Sequence, residues 1–148
     1  MRLTSLLLIP ALLLCPLLVA GCASSTPPST TSTNTSVYFD SQVLYSPPSP
    51  VVGTLITITF TIANSTTGTG NLQAIPYLIT LDGTGVTSGL TSTMTPNGQT
   101  TTSTTIQIST TGAHTVAVVL DPNAFTGFVN PAANSETVTI TVLPSSTI

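Results

Sequence analysis

Few side chains in this sequence could carry out chemistry. There is one histidine, His114, and there are four carboxylates, Asp40, Asp82, Asp121 and Glu136. A Ser-His-Asp hydrolase needs an imidazole open to both a hydroxyl and a carboxylate. His114 alternates with Val116, Val118 and Leu120, which puts it on the apolar side of a strand, where a packed ring hydrogen-bonded to backbone is expected. Asp121 lies seven residues on and points to the other face if the strand is regular. Two-carboxylate hydrolysis needs two acids held close together, and the spacing here brings no two together. Asp82 precedes Gly83 and Asp121 precedes Pro122, both ordinary turn chemistry. Asp40, Asp121 and Asn123 are the one set that could gather at one end of the fold, and calcium wants about 6–8 oxygen ligands. The reading is therefore no catalytic residue, no metal site and no cofactor. Phe125 and Phe128 stand out for another reason: both fall in the turn-rich segment from Asp121 to Asn134. They form either a partner-contact site or a cap over the open end of the core. Tyr38, Tyr45 and Tyr77 make no readable sugar-stacking platform.

Composition narrows the classes further. The chain has 148 residues, room for one domain. Apolar residues make up 41%, enough for a core, while charged residues make up only 3% against about 25% in ordinary proteins. The sole Lys or Arg is Arg2, so nothing beyond it can neutralise phosphate and nucleic acid is excluded as a partner. Threonine fills 32 of the 148 positions, an excess that favours strands.

The first 21 residues read as an export signal. Arg2 is the positive n-region and an almost unbroken apolar run extends from Leu6 to Ala20. That run is short for a membrane span of about 20 apolar residues, and Pro10 and Pro16 interrupt it. It ends at Val19-Ala20-Gly21-Cys22, which resembles a bacterial lipobox. The resemblance implies cleavage before Cys22, a lipid on its thiol, and anchoring by several acyl chains where one is marginal. Ala23 after the cysteine implies, in a two-membrane host, sorting to the outer membrane. Cys15 would be removed and Cys22 lipidated, leaving no thiol for a disulfide, metal or nucleophile. Residues 22–36 continue as ASSTPPSTTSTNTS after Cys22, a Ser/Thr/Pro tether too polar to bury a core.

From Val37 the pattern has period two. Ile56, Ile58, Phe60 and Ile62 alternate with Thr57, Thr59 and Thr61, and Val138, Ile140 and Val142 alternate with Thr137, Thr139 and Thr141. Half-buried antiparallel strands have this pattern. Further strands are predicted at Val37–Tyr45, Ile75–Leu81, Val86–Met94, Thr101–Ser109 and Ala113–Leu120, with turn signals between them. The polar Val86–Met94 reads as a solvated edge, although an edge can also accept a partner strand. About seven short strands in some 100 residues predict an all-β, immunoglobulin-like antiparallel β-sandwich over residues 37–143, with a tail at 144–148.

Residues 37–143 also resemble the CARDB domain, the cell-adhesion-related domain found in bacteria. The matching pieces are Ser49-Pro50-Val51-Val52-Gly53 before the alternating strand, Tyr77 to Gly83, Asn97-Gly98-Gln99, and Gly112 to Val116 with Leu120-Asp121-Pro122. Phe125 to Asn134 departs from the acidic, Asn-rich segment common there, reading FTGFVNPAAN. The resemblance implies an exported sandwich with an adhesive or scaffolding role and no catalysis. The expected function is a non-enzymatic module, lipid-anchored at the cell envelope through Cys22, that binds a protein or polysaccharide partner. The alternative is a structural spacer or assembly subunit with no external ligand.

Overall fold

The computed structural model describes residues 36–146. The expected signal, the lipidation site Cys22 and all of the tether except Ser36 lie outside that range. Alternating threonine sets the architecture within it. The β-branch stiffens χ1 and suits a pleated, half-wet surface, so in the segments 55–64 and 135–142 the Thr-x-Thr runs turn the intervening apolar side chains to one face. Eight strands result: β1 (Val37–Phe39), β2 (Leu44–Ser46), β3 (Leu55–Asn64), β4 (Pro76–Leu81), β5 (Thr84–Leu90), β6 (Gln99–Gln107), β7 (Gly112–Leu120) and β8 (Ser135–Val142).

The strands form two four-stranded antiparallel sheets, confirming the all-β sandwich. In the first, β3 pairs with β6 along one side, from Leu55 opposite Gln107 to Ala63 opposite Gln99. Its other side takes β1 and β2 in turn. The second runs β5-β4-β7-β8. The single first strand predicted over Val37–Tyr45 is in fact two strands. The polar run Asp40-Ser41-Gln42 leaves the sheet, and Val43 drops into the core before β2 begins.

The core lies between the sheets. Ile56, Ile58, Phe60 and Ile62 of β3 are buried, as are Ile79 of β4, Val116, Val118 and Leu120 of β7, and Ile140 and Val142 of β8. Phe60 meets Tyr77 of the other sheet edge-on, with ring centroids 5.1 Å apart, and Phe39 stands 6.3 Å from Phe60. Such pairs add about 0.5–1.5 kcal/mol beyond burial. Asp82 and Gly83 form the two-residue turn between β4 and β5 with φ of 50° and 82°. Both residues at positive φ is the hairpin geometry whose twist matches the strands.

Candidate functional site at one end of the sandwich

Leaving β7 at Leu120, the chain must cross to β8, and Asp121 organises the crossing. It is buried at 4% exposure with φ of 44°, a left-handed conformation that Asp tolerates. Its backbone N–H donates to the Pro76 carbonyl at 2.7 Å, tying the loop to the start of β4. Its carboxylate accepts three hydrogen bonds: from the Phe125 N–H at 2.9 Å, the Thr126 N–H at 2.9 Å and the Thr126 hydroxyl at 2.7 Å. Downstream, the Val37 N–H donates to the Phe128 carbonyl at 3.0 Å. The Asn130 side chain caps a single 3-10 turn at Pro131–Ala133 by accepting from the Ala132 N–H. Asn134 Nδ2 donates to the Leu120 carbonyl at 3.0 Å.

This pinning separates the two phenylalanines that the sequence presents as a pair. Phe128 turns inward and packs against the core. Phe125, whose N–H is held by Asp121, stands in solvent at 81% exposure. Gly127, at φ 67°, turns the backbone between them. The loop also borders a groove of about 530 Å³. Pro76 and Tyr77 of β4, Gly89 and Leu90 of β5, and Pro122 and Asn123 line most of it. Leu90 on its wall is 66% exposed. Gly89 is required by close approach, since a Cβ there would lie 2.6 Å from the Tyr77 hydroxyl. The groove has no charged lining residue; Ser88, Asn123 and Tyr77 are the lining residues with polar side chains. A mostly apolar wall with a few polar groups is the usual make-up of a ligand site.

His114 sits toward the other end of β4 and has a partner that the sequence did not reveal. It shares the parity of Val116 and Val118 and is largely covered, with a backbone carbonyl in reach as expected, but its shortest hydrogen bond goes to a carboxylate. His114 Nδ1 lies 2.8 Å from Asp82 Oδ2, with the side chains 11% and 53% exposed. Asp82 Oδ1 accepts from the Thr115 N–H at 2.8 Å. His114 Nε2 lies 3.3 Å from the Thr110 hydroxyl and 3.2 Å from the Thr110 carbonyl. The hydrogen bond from the ring holds Asp82 below the usual carboxylate range, helped by the Thr115 N–H. The hydrogen bond to Asp82 raises His114 above the ordinary imidazole range, and Thr110 assists.

Thr110, His114 and Asp82 thus form a hydroxyl-imidazole-carboxylate chain. A general base needs a free Nε2 lone pair at working pH. Here Nε2 already faces the Thr110 carbonyl and hydroxyl at 3.2 and 3.3 Å. The arrangement ties the start of β7 to the β4–β5 turn. Asp121 is engaged by its own loop, and the Asp40 carboxylate accepts from Gln99 Nε2 at 2.9 Å. Among the described residues no three His, Cys, Asp or Glu side chains come together.

The fold places this chain among known domains. It superposes on the CARDB domain of a Pyrococcus furiosus protein, described in complex with di-metal ions, with a TM-score of 0.58 at 13% identity. That match covers 72% of this chain and 87% of that one. A domain from a Methanosarcina acetivorans protein assigned to the cell surface gives a TM-score of 0.51 at 20% identity, over 69% of this chain and 91% of that one. No curated protein matches the chain. The CARDB profile matches residues 37–127, from β1 into the Asp121 loop, and the chain belongs to the CARDB family.

Proposed function

We propose that this chain is a non-catalytic recognition module displayed at the cell envelope, with its contact surface at the end of the sandwich that carries Phe125 and the β4–β5 groove. The observation that carries the reading is Phe125 itself. A large aromatic side chain left 81% exposed forgoes about 1.5–3 kcal/mol of burial, and here the loop that presents it is fixed by a buried carboxylate. A rigid aromatic anchor loses little entropy when a partner covers it, and such residues dominate binding surfaces. The uncharged groove beside it suits a neutral partner surface, a protein loop or a polysaccharide. Attachment to the membrane through a lipid on Cys22 completes the proposal, because the Arg2, apolar-run and Cys22 pattern supplies both the export signal and the acceptor thiol.

Binding of di-metal ions, as in the Pyrococcus domain, does not fit these residues. Both Asp121 oxygens already accept protein donors, and the other carboxylates are dispersed. The test is association with purified envelope fractions and polysaccharides. The wild-type chain should bind saturably and Phe125→Ser should lose at least about tenfold in affinity, as expected for an anchor residue. Equal affinity in the two proteins, or no binding to any fraction, contradicts the proposal and favours the spacer role.

A further inference from the structure

A free sheet edge offers unpaired N–H and C=O groups to any strand that can reach it, and proteins ordinarily blunt such edges with charge, bulges, proline or short strands. Three of the four edges here are blunted in this way. β1 and β2 are three residues each and are interrupted by the exposed Asp40. β5 is distorted by a register shift opposite Ile79 and Thr80, and it carries Gly85 and Gly89. β8 carries Glu136, and its end is covered by pairing of Leu143 with Val51. β6 has none of these. Its nine residues contain no charge and no proline, its register with β3 is unbroken, and among the described residues no strand pairs with its outer side.

The sequence of this edge reads nearly the same in both directions. Gln99–Gln107 is QTTTSTTIQ, symmetric about Ser103 except for Thr100 against Ile106. The exposed face, Gln99, Thr101, Ser103, Thr105 and Gln107, is fully symmetric. We propose that β6 is a homotypic docking edge, on which two copies of this chain pair antiparallel about Ser103 to make one continuous sheet. A two-fold axis there sets Gln99 against Gln107, Thr101 against Thr105 and Ser103 against itself, the self-complementary arrangement an isologous interface requires. The same side-chain chemistry already works inside the domain, where Thr61 bonds Thr101 and Thr59 bonds Ser103 across β3 and β6, each at 2.9 Å. On the inner face Thr100, Thr102 and Thr104 are only half-buried, so a second copy would complete the layer beneath them. A nine-residue seam is roughly 30 Å long and belongs to the small, reversible class of interface. The proposal concerns a different surface from the Phe125 end and stands or falls separately.

The test is sedimentation equilibrium of the purified full chain in density-matched detergent. Wild type should dimerise reversibly. Ser103→Lys and Ser103→Glu each place like charges directly opposite across the axis and should raise the dissociation constant at least about tenfold. An equal mixture of the two should recover dimer, which co-micellation would not reproduce. Because Ser103 is exposed, both variants should keep the wild-type circular dichroism spectrum. A monomeric wild type, a dimer indifferent to Ser103→Lys, or a mixture no tighter than either variant alone would overturn the proposal.

Discussion

Replacing Asp121 should unfasten the Phe125 loop, and the loss can be worked out from its hydrogen bonds. The carboxylate is buried and accepts from two backbone N–H groups and one hydroxyl at 2.7–2.9 Å. An unsatisfied buried donor costs about 1–3 kcal/mol. Part of this loop is exposed, so water can reach some of the freed donors. Asp121→Asn keeps one acceptor oxygen and tolerates the φ of 44°, so it should lose roughly 1–2 kcal/mol. Asp121→Ala removes every acceptor and strains the left-handed backbone, for a loss of roughly 3–4 kcal/mol. For a domain of this size 3 kcal/mol corresponds to a drop of about 10 °C or somewhat more in Tm. Thermal unfolding gives the ordering, and hydrogen exchange at the Phe125 and Thr126 amides locates it. An Asp121→Ala protein that melts with wild type, with those amides still protected, would refute the claim that this carboxylate holds the loop.

The His114–Asp82 pair sets the sign of a pH dependence. The raised His114 contributes stability below about pH 6.5 that is lost as pH rises through its folded-state value, and the lowered Asp82 contributes stability above about pH 3.9 that is lost as pH falls through its own. Wild type should therefore be more stable at pH 5.5 than at pH 8.5, and in Tm measurements at the two values His114→Gln should flatten that difference. Gly89→Ala should destabilise by roughly 1–3 kcal/mol in denaturant unfolding, because its Cβ would press on the Tyr77 hydroxyl and Tyr77 is held against Phe60.

The sandwich was legible because threonine marks the wet face. β3 and β8 announce themselves by strict alternation, and the turns at Asp82-Gly83 and Asn97-Gly98 carry the residues that positive φ favours. Asp82 and Asn97 do sit there at 50° and 53°. The break after Phe39 was harder to see, since Val43 returns to the core on the same parity as Val37 and Phe39, and the alternation reads straight across the polar run Asp40-Ser41-Gln42. The His114 partner was not visible either. Asp82 and His114 are 32 residues apart, and they meet because β4 and β7 pair with Leu81 opposite Val116. The fates of Phe125 and Phe128 were indistinguishable in a loop of similar neighbours. What separates them is the reach of Asp121, whose carboxylate bonds the Phe125 N–H four residues ahead, with Gly127 then reversing the chain.

A paired substitution tests most directly whether Phe125 faces a partner while Phe128 serves the core. Envelope binding and Tm would be measured side by side for Phe125→Ser and Phe128→Ser. Phe125→Ser should keep the wild-type Tm within about 2 °C, as a surface substitution does, and lose binding. Phe128→Ser should lower the Tm. A Phe125→Ser protein that binds as tightly as wild type would contradict a partner-facing role for Phe125.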